Sequence, residues 1–234
     1  MTIPPELYIL YGCHVTTYWL TAFIFYIADT HLDLHSYKIQ QVNTSNLSLK
    51  TLYRLKYTSK IALNVARNHT LILIPLSLIY CKLLRSSIHD PLPGWPTICF
   101  QLIINYLIHE IQFYSTHRFL HTKFGYQRVH KTHHEFITPI GLSGQYVHPI
   151  EFIILFIQAV NGSLILNMHP LITCIWVIAI NWTSVVSHCG YSFPFYENTY
   201  HDSHHRLFKY NYGSNQWMEK NIFKTSLQNN LKHS

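Results

Sequence analysis

The sequence predicts an all-α membrane protein. About four to five transmembrane or hairpin helices are expected beneath a cytosolic, histidine-rich helical cap that holds a di-metal site. Three observations carry this expectation. Charged residues make up only 12% of the 234 positions, about half the roughly 25% usual in soluble domains. Apolar runs near the ~20 residues needed to cross a bilayer recur along the chain. Ten of the 18 histidines fall in short patterned groups between His117 and His205.

The first apolar run, Leu7 to Ile27, is broken only by His14 and a few threonines. It is too long for a signal-peptide core and no Lys or Arg precedes it, so it reads as an anchor rather than a cleaved leader. Ala66 to Leu84 is bounded by Arg67 and Arg85, long side chains that can snorkel to headgroups. Pro96 to Tyr114 follows. Ile150 to Leu166 and Leu171 to Val186 are joined by Asn167-Met168-His169-Pro170, which reads as a helical hairpin with a proline breaker. A soluble bundle with several buried helices is the alternative.

Charge placement then orients the chain. Fifteen of the 17 basic residues fall in 29–67, 116–149 and 189–234, and only Lys82 and Arg85 lie between the second and third runs. By the positive-inside rule those three segments, with the C-terminus, are cytosolic. The sequon Asn43-Thr44-Ser45 would then stay unglycosylated. Residues 1–65 read as an anchor helix with a cytosolic connector and 66–234 as the metal-bearing membrane domain, forming one structural unit.

Composition excludes other classes. With 48% apolar and 15% aromatic residues the chain is not disordered. Cys13, Cys81, Cys99, Cys174 and Cys189 sit mostly inside apolar runs without a CxxC pair, so they read as reduced, buried side chains. The net charge of +7 raises nucleic acid as a partner. The Lys and Arg residues form no stripe and no binding motif, so none is expected.

The patterned histidines are His117-x-x-x-His121, His130-x-x-His133-His134, His148 in His-Pro-Ile-Glu151, His188 in Ser-His-Cys-Gly, and His201-x-x-His204-His205. On an α-helix, positions i, i+3 and i+4 share a face about 5–6 Å apart, so each box is expected to aim its imidazoles at one point. Forty helical residues between His148 and His188 trace about 60 Å. That is one crossing of a roughly 30 Å core and a return, which places both on the side of the boxes. Ten imidazoles suffice for two metals of four or five ligands each. All-imidazole donors suit Fe, Cu, Ni or Zn, and a site facing unactivated lipid C–H bonds points to iron. Glu110, Glu135, Glu151 and Asp202 are candidates to accept the outer ring N–H of ligating histidines. The remaining histidines show no box spacing; His109, two turns before His117, is the exception to watch.

The HRFLH, HKTHH and HDSHH boxes, with HPIE and SHCGY between them, resemble the fatty acid hydroxylase/sterol desaturase superfamily over roughly residues 30–225, including Tyr37-Lys-Ile-Gln40. Within it, His130 to Phe136, Tyr146 to Glu151 and Ser187 to Tyr191 are most similar to C-4 methylsterol monooxygenases and to fatty acid hydroxylase domain-containing proteins. The resemblance implies a non-haem di-iron oxygenase of the endoplasmic reticulum, multi-pass, with its site on the cytosolic face. It also implies O₂ as oxidant, electrons from NAD(P)H through a reductase and cytochrome b5, and a sterol or fatty acyl lipid substrate from the bilayer. The ligands it implies are His117, His121, His130, His133, His134, His148, His188, His201, His204 and His205. The family's terminal Asp-x-x-x-Gly-Thr pattern stands here as Glu219 to Lys224-Thr225, with Glu for Asp and Lys for Gly.

The leading expectation is oxidation of a sterol 4-methyl group. Hydroxylation of a fatty acyl, alkylglycerol or sphingoid chain is a second. A zinc-dependent membrane hydrolase and an inactive metal-bound scaffold are the readings of another class.

Overall fold

The computed structural model describes the backbone of residues 3–32, 34–40, 47–194 and 198–230 and, apart from 35, 47–56 and 230, their side chains. The sequon at Asn43 and the basic residue Lys232 lie outside the described residues.

Among the described residues the chain is helical, with one isolated antiparallel bridge between Lys38 and Tyr191. Helix α1 runs Pro5–His31 and begins on Pro5, whose missing N–H costs nothing at a first turn. Helix α2, Leu47–Asn68, passes through a π-helical turn, His69–Leu73, into α3, Ile74–Leu83. Pro75 explains the turn: it offers no N–H to the carbonyl one turn back and its ring crowds that carbonyl, so the helix widens there. Helix α4, Trp95–Leu120, starts on Gly94 and Pro96. The short α5, Lys123–Arg128, and two 3₁₀ turns, His130–Glu135 and Gly141–Gln145, lead to α6, Pro149–Ile165.

Helix α7, Pro170–Ser187, returns beside α6. The reversal uses Asn167 at φ +47°. It also uses His169, whose Nδ1 accepts the Leu171 N–H at 3.2 Å as an N-cap. The expected hairpin and its proline breaker are therefore present. Helix α8 is Thr199–Leu207, α9 is Gln216–Met218 running into a π-helical turn Glu219–Phe223, and α10 is Leu227–Asn230.

By length and composition two stretches among the described residues suit a membrane crossing, Tyr57–Leu83 and Pro170–Ser187, where four to five were expected. The other apolar runs fold as helices of less uniform character. Helix α4 has 26 residues but buries Gln101, Asn105 and Glu110. Helix α6 is apolar but has only 17 residues.

Side chains explain the packing. Tyr18 and Ala22 of α1 meet Ile61 and Val65 of α2, Tyr146 and Val185 of α7. Trp176 of α7 donates to the Ala159 carbonyl of α6 at 2.8 Å. Gly162 lets α6 approach α4, since a Cβ there would lie 2.0 Å from Asn105 Oδ1. A polar knot crosses this apolar bundle. His69 and His14 both reach Gln145 Oε1, at 2.7 and 3.3 Å, and Gln145 and His14 both bond Asn181. Buried polar groups must be paired, and these tie α1, the π turn after α2, the 3₁₀ turn before α6, and α7 together. The open ends of α4, α6 and α7 then face α8 and the 3₁₀ turn at His130.

Candidate metal centre

Two groups of imidazoles meet at that end of the bundle. His117, His121, His130, His134 and His204 offer nitrogens that all lie within 4.8 Å of one another, and so do His133, His188, His201 and His205. Seven of the nine are buried; His121 and His201 are half-buried. The boxes do not each aim at one point, as the spacing led us to expect. His130 and His134 join one group while His133 joins the other, and His204 parts from His201 and His205. Adjacent residues diverge by about 100° on the α-helix of His204 and His205 and about 120° on the 3₁₀ turn of His133 and His134, so the last two histidines of each box can face different centres.

Four rings are held by outer partners, and three of these partners fix the tautomer. His117 Nδ1 donates to the Tyr212 carbonyl at 2.6 Å and His204 Nδ1 to the Tyr210 carbonyl at 2.7 Å. His188 Nδ1 donates to the Ser184 carbonyl at 2.7 Å, and His130 Nδ1 to Glu151 Oε1 at 2.7 Å. A carbonyl can only accept, so in His117, His188 and His204 the proton sits on Nδ1 and Nε2 is bare. Yet His117 Nε2 and His130 Nε2 face each other at 3.1 Å. His188 Nε2 faces those of His133, His201 and His205 at 3.2, 3.0 and 3.1 Å. His204 Nε2 is buried with no hydrogen-bond partner.

Bare lone pairs converging in this way repel unless a cation lies among them. Burial pushes His117 and His188 down to about 4 and His121 down to about 3. The other six are also held low by burial, reinforced by neighbouring imidazoles. They are therefore neutral near pH 7, the form that binds metal.

The donor set fits two transition-metal ions. Nitrogens about 3.1 Å apart within a group could share one ion, and all-imidazole donors suit Fe, Cu, Ni or Zn.

The other expected residues sort as follows. His148 stands outside both groups; its Nδ1 accepts the Ile150 N–H at 3.2 Å and caps α6. Glu151 is the one acidic candidate that touches a member of either group. Glu110 instead accepts from Asn215 N–H at 2.9 Å and from the Ser214 hydroxyl. Asp202 accepts from Gln40 Nε2 at 2.8 Å, and Glu135 bonds Tyr146 and Lys60. His109 joins neither group: its Nδ1 donates to the Gln158 carbonyl at 3.3 Å. The Ser184, Tyr210 and Tyr212 carbonyls escaped the sequence reading because backbone acceptors leave no side-chain signature.

The C-terminal pattern keeps its carboxylate. Glu219 accepts from Tyr212 N–H, Gly213 N–H and the Thr225 hydroxyl. Four residues separate Glu219 from Lys224, one more than the family pattern allows, and the π-helical turn Glu219–Phe223 takes up the extra one. Lys224 has φ +60°, which explains why a glycine suits that position.

A cavity of about 430 Å³ runs between α4, α6 and α7 and ends on His117, His130, His133, His188 and His201, members of both groups. Its walls include Phe113, Phe152, Leu155, Phe156, Trp176 and Ile180. This volume is in the range of small-molecule pockets.

The sequence profile of the fatty acid hydroxylase family matches residues 102–225. Methylsterol monooxygenase 2-2 of Arabidopsis thaliana is 31% identical over 204 residues, covering 83% of this chain and 74% of that protein. Methylsterol monooxygenase 2-1 of the same plant is 28% identical, covering 83% and 77%. A very-long-chain aldehyde decarbonylase of Oryza sativa subsp. indica is 30% identical, covering 83% and 74%. No solved structure matches.

Proposed function

This chain belongs to the fatty acid hydroxylase family, and on that premise we propose that it is a membrane-bound, O₂-dependent lipid monooxygenase whose nine clustered histidines hold two iron ions. The observation that carries the proposal is the convergence of bare Nε2 atoms from both groups on the end of an apolar cavity. Iron bound there supplies the oxygen activation that an unactivated C–H bond requires. The net reaction is R–H + O₂ + 2 e⁻ + 2 H⁺ → R–OH + H₂O, with the electrons drawn from NAD(P)H through a reductase and cytochrome b5.

The protein's own part is placement. The three carbonyls fix ring tautomers and Glu151 holds His130, so the nitrogens present lone pairs without reorganising. Phe152, Phe156 and Trp176 exclude water and bind the lipid. A belt of outward apolar side chains, Phe23, Leu63, Leu71, Phe100, Ile157 and Ile175 among them, supports burial of the bundle in a bilayer. The distribution of basic residues supports a cytosolic histidine end, and the family resemblance favours the endoplasmic reticulum as the membrane.

Similarity to the methylsterol monooxygenases favours a sterol 4-methyl group as the carbon attacked. The aldehyde decarbonylase similarity keeps a long acyl-type chain as the second substrate. The test is turnover of the purified chain with NADH, reductase, cytochrome b5 and O₂ on paired 4-methylsterol and acyl lipid. A +16 mass shift on the sterol alone is expected, and it is lost in His204→Ala together with metal. Product on the acyl lipid alone replaces the sterol reading. O₂-independent hydrolysis with bound zinc overturns both.

A further inference from the structure

Two carboxylates near the metal centre have no part in the chemistry so far. Glu110 of α4 and Glu219 of the C-terminal π turn are both 0% exposed, and neither enters an ion pair among the described residues. Burying a carboxylate without a cation is costly unless N–H and O–H donors surround it. Here the donors all come from one short loop and the strand of chain behind it. Glu219 Oε1 accepts the Tyr212 N–H at 3.0 Å and the Thr225 hydroxyl, and Oε2 accepts the Gly213 N–H at 2.6 Å. Glu110 Oε1 accepts the Asn215 N–H at 2.9 Å and Oε2 the Ser214 hydroxyl. Gly213 lies between them: a Cβ there would sit 2.7 Å from Glu110 Oε1 and 2.8 Å from Glu219 Oε2.

The other edge of the same loop faces the histidines. The Tyr212 carbonyl and the Gly213 N–H belong to one peptide unit, planar and trans, so they point in opposite directions. Glu219 holds the N–H end of that unit, and the carbonyl end is thereby aimed at His117 Nδ1, 2.6 Å away. The Tyr210 carbonyl, two residues earlier, holds His204. Two of the five members of one histidine group thus take their tautomer from this loop. The four-histidine group does not: its His188 is held by Ser184, one turn back on its own helix.

We propose that Glu219 and Glu110 are positioning residues for the five-histidine group alone, gripping residues 212–215 of the 208–215 loop so that its Tyr212 and Tyr210 carbonyls are held where they fix the metal-binding tautomers. This rests on the metal-centre reading above. Outer partners of ligating histidines set metal affinity by about 10–100-fold.

The test is a cobalt(II) titration of the full chain in detergent, followed by cobalt absorption and chelator competition, with thermal unfolding of the metal-free chain as the fold control. Glu219→Gln places an NH₂ against the Tyr212 or Gly213 N–H. The expected result is two sites in the wild type and, in the variant, one site weakened about 10–100-fold with an altered spectrum while the other is unchanged. Gly213→Ala, which wedges the two carboxylates apart, should weaken the same site. Ser214→Ala removes a single donor and serves if the first two variants do not fold; a several-fold weakening of that one site is expected. Equal weakening of both sites, or none, overturns the proposal. A wild-type chain that takes up no cobalt overturns the metal-centre reading and this inference with it.

Discussion

Replacing Glu151 separates a ligand's outer partner from general acidity near the site. Its Oε1 accepts from His130 Nδ1 at 2.7 Å, His130 is 1% and Glu151 2% exposed, and Glu151 Oε2 has no other partner. The bond is therefore screened from solvent on both sides, and leaving either partner unsatisfied costs about 1–3 kcal/mol. Glu151→Gln keeps an acceptor but replaces the carboxyl with an amide, and should lower affinity at the five-histidine group about tenfold, or about 1.4 kcal/mol. Glu151→Ala leaves the His130 N–H buried and unpaired and should approach the upper end, about 100-fold. Competition with a graded series of chelators reads both values. His148→Ala, at the same end of α6, is the control. It removes a helix cap, costs about 1 kcal/mol of stability, and leaves metal affinity unchanged. Wild-type affinity in Glu151→Ala, or a loss in His148→Ala as large as that in Glu151→Ala, would refute the assignment of Glu151 as an outer partner.

Three further outcomes follow from the same geometry. The nine imidazoles have folded pKa values below the ordinary 6.5, with His117 and His188 at about 4. Their neutral state is matched by the unfolded chain above pH 6.5 and not below it, so stability is full above 6.5 and is lost as pH falls through about 4. Denaturant midpoints of the metal-free chain measured between pH 8 and pH 4 check this, and a flat profile contradicts it. Gly144→Ala puts a Cβ 2.5 Å from the Ser184 carbonyl that holds His188. It should cost about 1–3 kcal/mol in thermal stability and weaken the four-histidine site in cobalt titration. Lys224→Gly relieves a left-handed residue at φ +60° and should raise stability by about 1 kcal/mol, visible as a higher midpoint.

Much of the histidine cluster was legible because residues one turn apart on a helix share a face. His117 and His121, one turn apart, converge as their spacing requires. The helical hairpin at 167–170 was legible from Asn167 and Pro170 for a similar local reason. His148, expected among the ligands, stands at the N-cap of α6, a place beside Glu151 and at the same end of the bundle. The split of each HxxHH box between two centres was hidden because spacing on one helix says nothing about which neighbour each face meets. The roles of Glu110 and Glu219 were illegible for a different reason. They act on peptide groups of a loop, and nothing in the side-chain sequence announces which carbonyl a histidine will use.

The most direct test is the metal count of the chain purified from iron-replete cells. Two irons per chain are expected, one lost in His121→Ala and the other in His205→Ala. Fewer than two metal ions in the wild type, or two zinc ions in place of iron, would contradict the di-iron centre.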